Sequence, residues 1–411
     1  MNILVLNTGS SSLKFQIIET DCDMIENHTD KILAKGVIER IGNQAELQFS
    51  APGHPKKIYS KFLRGHKAAI EEIINWITSD ESIIDGISSL KDIHAVGHRT
   101  VHGAEEFKGS VKVTPEMITK IEECTELAPL HNPANLKGIR AVNETFGENF
   151  PQVAVFDTSF HTTMPQVAYI YGIPYKYYEQ YKVRRYGFHG TSHRYILQRY
   201  CALKNIPIEE GDIISLHLGN GCSAAAIKNG KSIDTTMGMT PLEGLVMGTR
   251  CGDIDPSLIE FIAHKENITL EAVYEILNKE SGVKGISGVS NDMRDIEAEI
   301  AKGNQRADLA MQVFSYRIKK YVGAYLAAMN GAKAIIFTGG IGENGPHSRN
   351  IILDNMSFFG IELDQKLNEE ITKGKEGIIS TPNSKIEVWV IPTNEELVIA
   401  RDTYQIINNK C

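Results

Sequence analysis

Ile3-Leu4-Val5-Leu6-Asn7-Thr8-Gly9-Ser10-Ser11-Ser12-Leu13-Lys14-Phe15 is echoed two hundred residues later by Ile213-Ile214-Ser215-Leu216-His217-Leu218-Gly219-Asn220-Gly221-Cys222-Ser223-Ala224-Ala225. Each segment reads as a short apolar strand, a turn of small residues and a second strand-like run. Such an echo marks a duplicated unit, here two similar halves facing one another across a cleft. A turn built of Gly and Ser places several backbone N–H groups on a concave surface, which suits phosphate oxygens. Neither turn matches G-x-x-x-x-G-K-[ST] or G-x-G-x-x-G, so neither is a P-loop or a Rossmann fingerprint.

Working outward, apolar runs at residues 3–6, 93–96, 153–156, 213–218, 334–337 and 387–391 alternate with helical patterns. The helical patterns cover residues 67–77, 115–126, 134–146, 192–203, 270–279 and 306–329, and a last helix follows Thr393, which is placed to cap it. This alternation is the signature of an α/β architecture. The six strands run into Asn7, Gly97-His98-Arg99, Asp157, Gly219-Asn220-Gly221, Thr338-Gly339-Gly340 and Pro392-Thr393-Asn394-Glu395. Ligands of open α/β sheets bind outside the carboxyl ends of strands, so these endings outline a site.

The chain has 411 residues, 42% of them hydrophobic and 23% charged, with a net charge of −8. That length exceeds a single core and predicts two domains. The acidic balance and the lack of any Lys/Arg block argue against nucleic acid as a partner, and an anionic substrate then needs a local cationic pocket. No apolar run is long enough to span a bilayer, and the N-terminus lacks a basic region of the signal-peptide kind. Six scattered cysteines read as reduced thiols of a cytoplasmic protein, with one bridge left open.

Several residues carry chemistry. Residues 239–256 mix Gly, Pro, one Arg and three acids around an apolar Leu245-Val246-Met247, which predicts an irregular but buried segment presenting Arg250. Arg250 either grips a phosphate or carboxylate, or braces a turn against Asp253 or Asp255. Lys14 is either a phosphate contact or a solvated edge residue. His189 and His193 have the spacing of a zinc helix, but Gly190 follows where Glu is needed, and Thr191 or Ser192 looks like a helix cap. A zinc site, an oxyanion donor and a buried structural imidazole all remain readings of this pair. Asn7 and Glu395 are oxygen donors that would suffice for a hydrated Mg²⁺.

Taken together, the motifs at residues 7–14, 97–99, 127–133, 156–158, 186–193, 217–221, 240–256, 339–344 and 393–397 resemble those of the acetate kinase family. That family lies within a superfamily that includes sugar kinases, actin and heat-shock chaperone ATPases. The likeness spans essentially the whole chain. It implies two duplicated actin-like ATPase (ribonuclease H-like) α/β domains facing a central cleft. Residues 1–158 plus 393–411 would form the acetate side, and 159–392 the nucleotide-binding domain. It also implies reversible Mg-ATP-dependent phosphorylation of acetate to acetyl phosphate and ADP by in-line transfer, with Mn²⁺ able to substitute, and a cytoplasmic homodimer.

Carried over by motif, Arg99 and Arg250 bind the carboxylate and the transferred phosphoryl group, and His189 stabilises its oxygens with help from His131. Asp157 sits at the reacting centre, where positioning is favoured over proton transfer because a carboxylate nucleophile is already ionised. Val101, Leu130 and Pro241 form the small apolar pocket beside Arg99. Lys14, His217, Leu218, Gly219, Asn220, Gly221, Asp292, Met293, Arg294, Gly340, Ile341, Gly342, Glu343 and Asn344 contact ATP, and Asn7 and Glu395 hold Mg²⁺. A propionate or other short-chain carboxylate kinase would use the same machinery. An actin- or chaperone-like ATPase would give Arg99 and Arg250 no task. The sequence departs from the family at Thr100 and Ala104, where Val and Gly are common; Ala104 then needs a backbone angle open to a non-glycine residue.

Overall fold

The structure, a computed structural model, describes every residue except 80, 81, 83, 130, 410 and 411. Two compact units emerge: Met1–Phe160 with Asn394–Cys411, and His161–Thr393. The first holds β1 (Asn2–Thr8), β2 (Leu13–Glu19), β3 (Lys31–Glu39), β4 (Gln44–Ser50), β5 (Lys57–Phe62), β6 (Ala95–Thr100), β7 (Val111–Lys112) and β8 (Gln152–Phe156). The second holds β9 (Ile213–Leu218), β10 (Cys222–Lys228), β11 (Lys231–Thr235), β12 (Ala334–Thr338), β13 (Gly377–Ile378) and β14 (Glu387–Val390).

The sheets run β5-β4-β3-β2-β1-β6-β8-β7 and β11-β10-β9-β12-β14-β13. Within them, β3-β2-β1-β6-β8 and β11-β10-β9-β12-β14 share one plan. The first strand pairs antiparallel with the second and the second with the third, while the fourth and fifth follow parallel to the first. This is the ribonuclease H-like, actin-type arrangement twice over, and the echoed segments are the opening hairpins β1–β2 and β9–β10. Parallel order brings the carboxyl ends of β1, β6 and β8 to one edge of the first sheet, and those of β9, β12 and β14 to one edge of the second.

Strands buried on both faces read as continuous apolar runs. Leu4 and Leu6 join a core with Trp76, Ile73 and Val142. The alternate residues Ile3 and Val5 pack with Ile399 and Ala400 of the helix Glu395–Asn408. That helix lies so close to β6 that a Cβ on Gly97 would stand 2.5 Å from Thr403 Oγ1. In the second unit the helix Gln305–Met329 buries Ala310, Phe314, Ile318 and Val322.

Three expected details change. The helix begun at Pro115 stops at Glu123, because Cys124–Leu127 tightens into a 3-10 turn. The last helix is capped by Asn394, whose side chain accepts from the Leu397 N–H at 3.1 Å, and Thr393 is bonded elsewhere. The expectation of reduced thiols holds for Cys124, Cys201, Cys222 and Cys251, but Cys22 is disulfide-bonded. Among the described residues no helix is long and apolar enough to cross a membrane.

Two imidazoles set an acid limit on stability. His98 is buried against Gln152 Oε1 at 2.7 Å, and His161 is buried between Ser232 Oγ and the Phe188 carbonyl. Burial pushes both down to about 4 from 6.5. The folded state therefore keeps them neutral while the unfolded chain takes up protons below pH 6.5. Their stabilisation is complete above that pH and is lost as pH falls towards 4, at about 3 kcal/mol each. The urea midpoint should be level near neutrality and fall steadily below pH 6.5; a level midpoint down to pH 5 would contradict this.

Candidate active site

In the first unit, Asn7, Arg99, Asp157 and Glu395 come together at the ends of β1, β6 and β8 and the start of the last helix. The Arg99 fork donates through Nε to Asp157 Oδ1 at 3.1 Å and through Nη2 to Oδ2 at 2.5 Å. Nη1 reaches Asn7 Oδ1 at 3.3 Å, and Glu395 Oε2 lies 3.5 Å from Nε. Burial disfavours the charge on Arg99, but Asp157 and Glu395 outweigh it and the guanidinium is held more firmly protonated than usual. Burial likewise raises Glu395 above the usual carboxylate range, against the pull of Arg99. Lys14 stands opposite Asn7 in the β1–β2 register, and its charge also acts on Glu395.

The loop after β6 is clamped by two buried amides that the sequence reading did not single out. Asn132 accepts from the His102 N–H at 3.2 Å and donates to the His102 carbonyl at 3.0 Å. Asn135 accepts from the Val101 N–H and donates to the Thr8 carbonyl, both at 3.1 Å. His131 precedes Asn132 at the head of their helix and is half-buried. Leu130 lies outside the described residues. The signal that pointed to Asn132 was its place in the 127–133 motif; for Asn135 there was none.

The two departures from the family pattern also lie here. Thr100 is wholly buried and its hydroxyl has no hydrogen-bond partner among the described residues. Ala104 has φ 49°, in the left-handed region, so the expected non-glycine angle is not found. Thr100→Val removes an unpartnered buried hydroxyl at constant shape, and Ala104→Gly relieves backbone strain; each should stabilise by about 1 kcal/mol. Equilibrium denaturation of the two variants checks this, and a loss of stability in either would contradict it.

In the second unit, His189 has φ 55° and itself occupies the N-cap position of the helix Gly190–Lys204, where Thr191 or Ser192 was expected. His189 Nδ1 and His193 Nε2 both bond Ser223 Oγ, at 2.9 and 2.8 Å. The His217 ring lies 4.3 Å from that of His189, and its Nδ1 bonds Ser192 Oγ. Leu245, Val246 and Met247 are buried, as their segment predicts, and Arg250 emerges beyond them.

Arg250 makes no salt bridge among the described residues. Its Nη1 meets the Pro241 carbonyl at 3.3 Å and Met247 Sδ at 3.9 Å. The turn-bracing reading fails because Asp253 pairs with Arg317 and Tyr321, and Asp255 accepts from the Ser257 N–H. Burial lowers the Arg250 pKa, with no carboxylate to offset it. A Cβ added to Gly221 would sit 3.4 Å from His189 Cε1 and 3.5 Å from both His189 Nε2 and Arg250 Nη1, so imidazole and guanidinium face one another across that glycine.

Beside this pair opens a pocket of about 420 Å³, lined by Gly219, Asn220, Asn291, Asp292, Met293, Arg294, Glu297, Gly340, Ile341, Asn344 and Gly345. It gathers eight of the expected nucleotide contacts and adds Asn291, Glu297 and Gly345. Arg294 forks onto Asp292 and holds it down at about 2. Glu343 is not a wall: its Oε1 accepts from the Gly339 and Thr393 N–H groups at 2.9 and 3.1 Å, binding the turn into the fold. Gly342, His217, Leu218 and Gly221 do not line the pocket either, and Lys14 belongs to the first unit.

Residues 2–401 match the acetokinase family. The acetate kinase of Chloroherpeton thalassium is 57% identical over 416 residues, covering all of both chains, and that of Thermotoga maritima is 52% identical over 99% of each. Among solved structures, Porphyromonas gingivalis acetate kinase superposes with a TM-score of 0.92 at 47% identity over 99% of each chain. A propionate kinase from Francisella tularensis superposes with a TM-score of 0.89 at 40% identity over the whole of both. The chain belongs to the acetokinase family.

Proposed function

We propose that the protein is an acetate kinase, transferring the γ-phosphoryl group of Mg-ATP directly and reversibly to acetate. One observation carries this reading: Arg250, a half-buried cation without a carboxylate partner among the described residues, faces His189 across Gly221 next to a glycine-walled pocket. Phosphoryl transfer asks mainly for positioning and for neutralising charge on three equatorial oxygens, and a fixed guanidinium and imidazole meet that need.

In this reading the nucleotide lies in the pocket, between the β9 and β12 turns and the Asp292–Arg294 corner. Arg250 and His189 hold the migrating phosphoryl group. Arg99, oriented by Asp157, holds the acetate carboxylate, Val101 and Pro241 shape the space for its methyl group, and His131 assists His189 at the phosphoryl oxygens. Asp157 has both oxygens engaged by Arg99 and is 1% exposed, which favours a positioning role over proton transfer. Asn7 Oδ1 and Glu395 are hard oxygen donors of the kind Mg²⁺ prefers, and one or two such groups suffice when phosphates and waters complete the shell. The bound ion supplies charge neutralisation on the β- and γ-phosphates, and Mn²⁺ should replace it. A cytoplasmic homodimer belongs to the same reading.

An apolar pocket separates homologues that differ by one methylene only by roughly 10–200-fold. The likeness to a propionate kinase therefore makes propionate the competing acceptor. Incubation with Mg-ATP and acetate, propionate or butyrate, trapping product with hydroxylamine, decides between them. Hydroxamate should form fastest with acetate. Propionate in first place would keep the mechanism and change the substrate; ADP without hydroxamate would mean an ATPase.

A further inference from the structure

His189 is backed by a buried chain of hydroxyls and rings. Its Nδ1 lies 2.9 Å from Ser223 Oγ, which lies 2.8 Å from His193 Nε2; His193 Nδ1 in turn lies 2.8 Å from Ser215 Oγ. His193, Ser215 and Ser223 have no exposed surface. Each hydroxyl brings one proton, and each neutral imidazole one donor and one acceptor nitrogen. Burial, with His161 and His217 nearby, keeps His193 far below its usual pKa and hence neutral.

The direction of this chain follows from counting protons. Among the described residues, the Ser215 hydroxyl has only His193 as a hydrogen-bond partner. Its proton therefore goes to His193 Nδ1, which places the His193 proton on Nε2. That proton goes to Ser223 Oγ, and the Ser223 proton goes to His189 Nδ1. The reverse direction strands the Ser215 proton in the core without an acceptor, which buried polar groups avoid. With Nδ1 accepting, neutral His189 carries its proton on Nε2, the atom that faces Gly221 and Arg250.

We infer that Ser215, His193 and Ser223 are positioning residues that fix His189 as its neutral Nε2–H tautomer, ready to donate to a phosphoryl oxygen without first taking up a proton. Among the groups facing His189 are His217 on β9, Arg250 on the irregular segment and His193 on its own helix. These three are imidazoles or a guanidinium, and none of the three draws a second proton onto His189. The step is a hydrogen bond, so no proton is transferred and none has to be returned. This inference rests on the proposed role of His189 in phosphoryl transfer, although the tautomer itself does not.

Nitrogen-15 NMR of histidine-labelled protein at pH 8, with His189→Gln identifying the signal, reads the tautomer directly. The expected spectrum has a protonated Nε2 and an unprotonated Nδ1 on His189; the opposite tautomer, or an imidazolium, overturns the inference. In Ser223→Ala the tautomer is released, and the rate above pH 7 should fall about 10- to 100-fold. The KM for ATP should be unchanged, and Ser223→Thr should rescue the rate. Ser215→Ala should shift the tautomer balance in the same sense. A loss in Ser223→Ala that Thr does not rescue also overturns it. Wild-type protein that shows the Nε2–H tautomer but forms no acyl phosphate would refute the proposed function and leave the relay standing.

Discussion

Arg250→Ala should lower acyl-phosphate formation by about 10³–10⁵-fold, the range measured for an arginine that neutralises charge in a phosphoryl-transfer transition state. ATP affinity should change little, because Arg250 is not among the residues that line the nucleotide pocket. Stability should hold as well. The guanidinium meets a carbonyl and a thioether and has no acid to leave stranded when it is removed. A cation that contributes little to folding yet is held next to His189 is kept for a ligand. Comparing kcat with the ATP dissociation constant from calorimetry checks the assignment. Parallel losses in both, or a marked loss of stability, would assign Arg250 to the scaffold.

Arg99→Ala should do the opposite to the fold. It takes from Asp157, which is 1% exposed, the two hydrogen bonds of the guanidinium, and it removes a counter-charge of Glu395. Breaking one side of such a buried pair typically costs about 3–5 kcal/mol. The double variant Arg99→Ala/Asp157→Ala should recover part of that stability, since it removes the buried carboxylate that has lost its counter-charge. Activity should not recover, since the carboxylate then has nothing to grip. Arg99→Lys should fail too, because a single ammonium cannot reproduce the fork that spans both oxygens of Asp157. Denaturation and rate measurements on Arg99→Ala, Asp157→Ala and the double variant, with the wild type, form one cycle. An active double variant would remove Arg99 from substrate binding.

The duplicated core was legible because its parallel strands are apolar on both faces and end in Gly or polar residues. Residues 3–6 and 213–218 needed no partner information to read as strands, and their echo gave the symmetry. By contrast, β3, β4 and β5 escaped. They form the antiparallel flank of the first sheet, and β5 exposes Ile58 and Phe62, so no burial pattern sets it apart from a loop. The Arg250 segment was legible because an apolar middle between Gly and Pro demands burial without regular structure. That Arg250 is left without Asp253 was not, because Asp253 is taken by Arg317 and Tyr321, more than sixty residues away. Glu343 was misplaced for a related reason. A carboxylate in a glycine-rich turn looks like a ligand group until its acceptor capacity is seen to be filled by backbone N–H groups. The Ala104 angle was open to reasoning only as a requirement, since no residue pattern reveals a left-handed alanine.

The central claim is that a carboxylate oxygen of acetate attacks the γ-phosphorus. Phosphorus-31 NMR of the reaction between Mg-ATP and acetate labelled with oxygen-18 in both carboxylate positions tests it directly. The account predicts ADP together with acetyl phosphate whose phosphorus signal carries the isotope shift of a single labelled bridging oxygen. Unlabelled inorganic phosphate as the sole phosphorus product besides ADP, or ATP left intact, would contradict it.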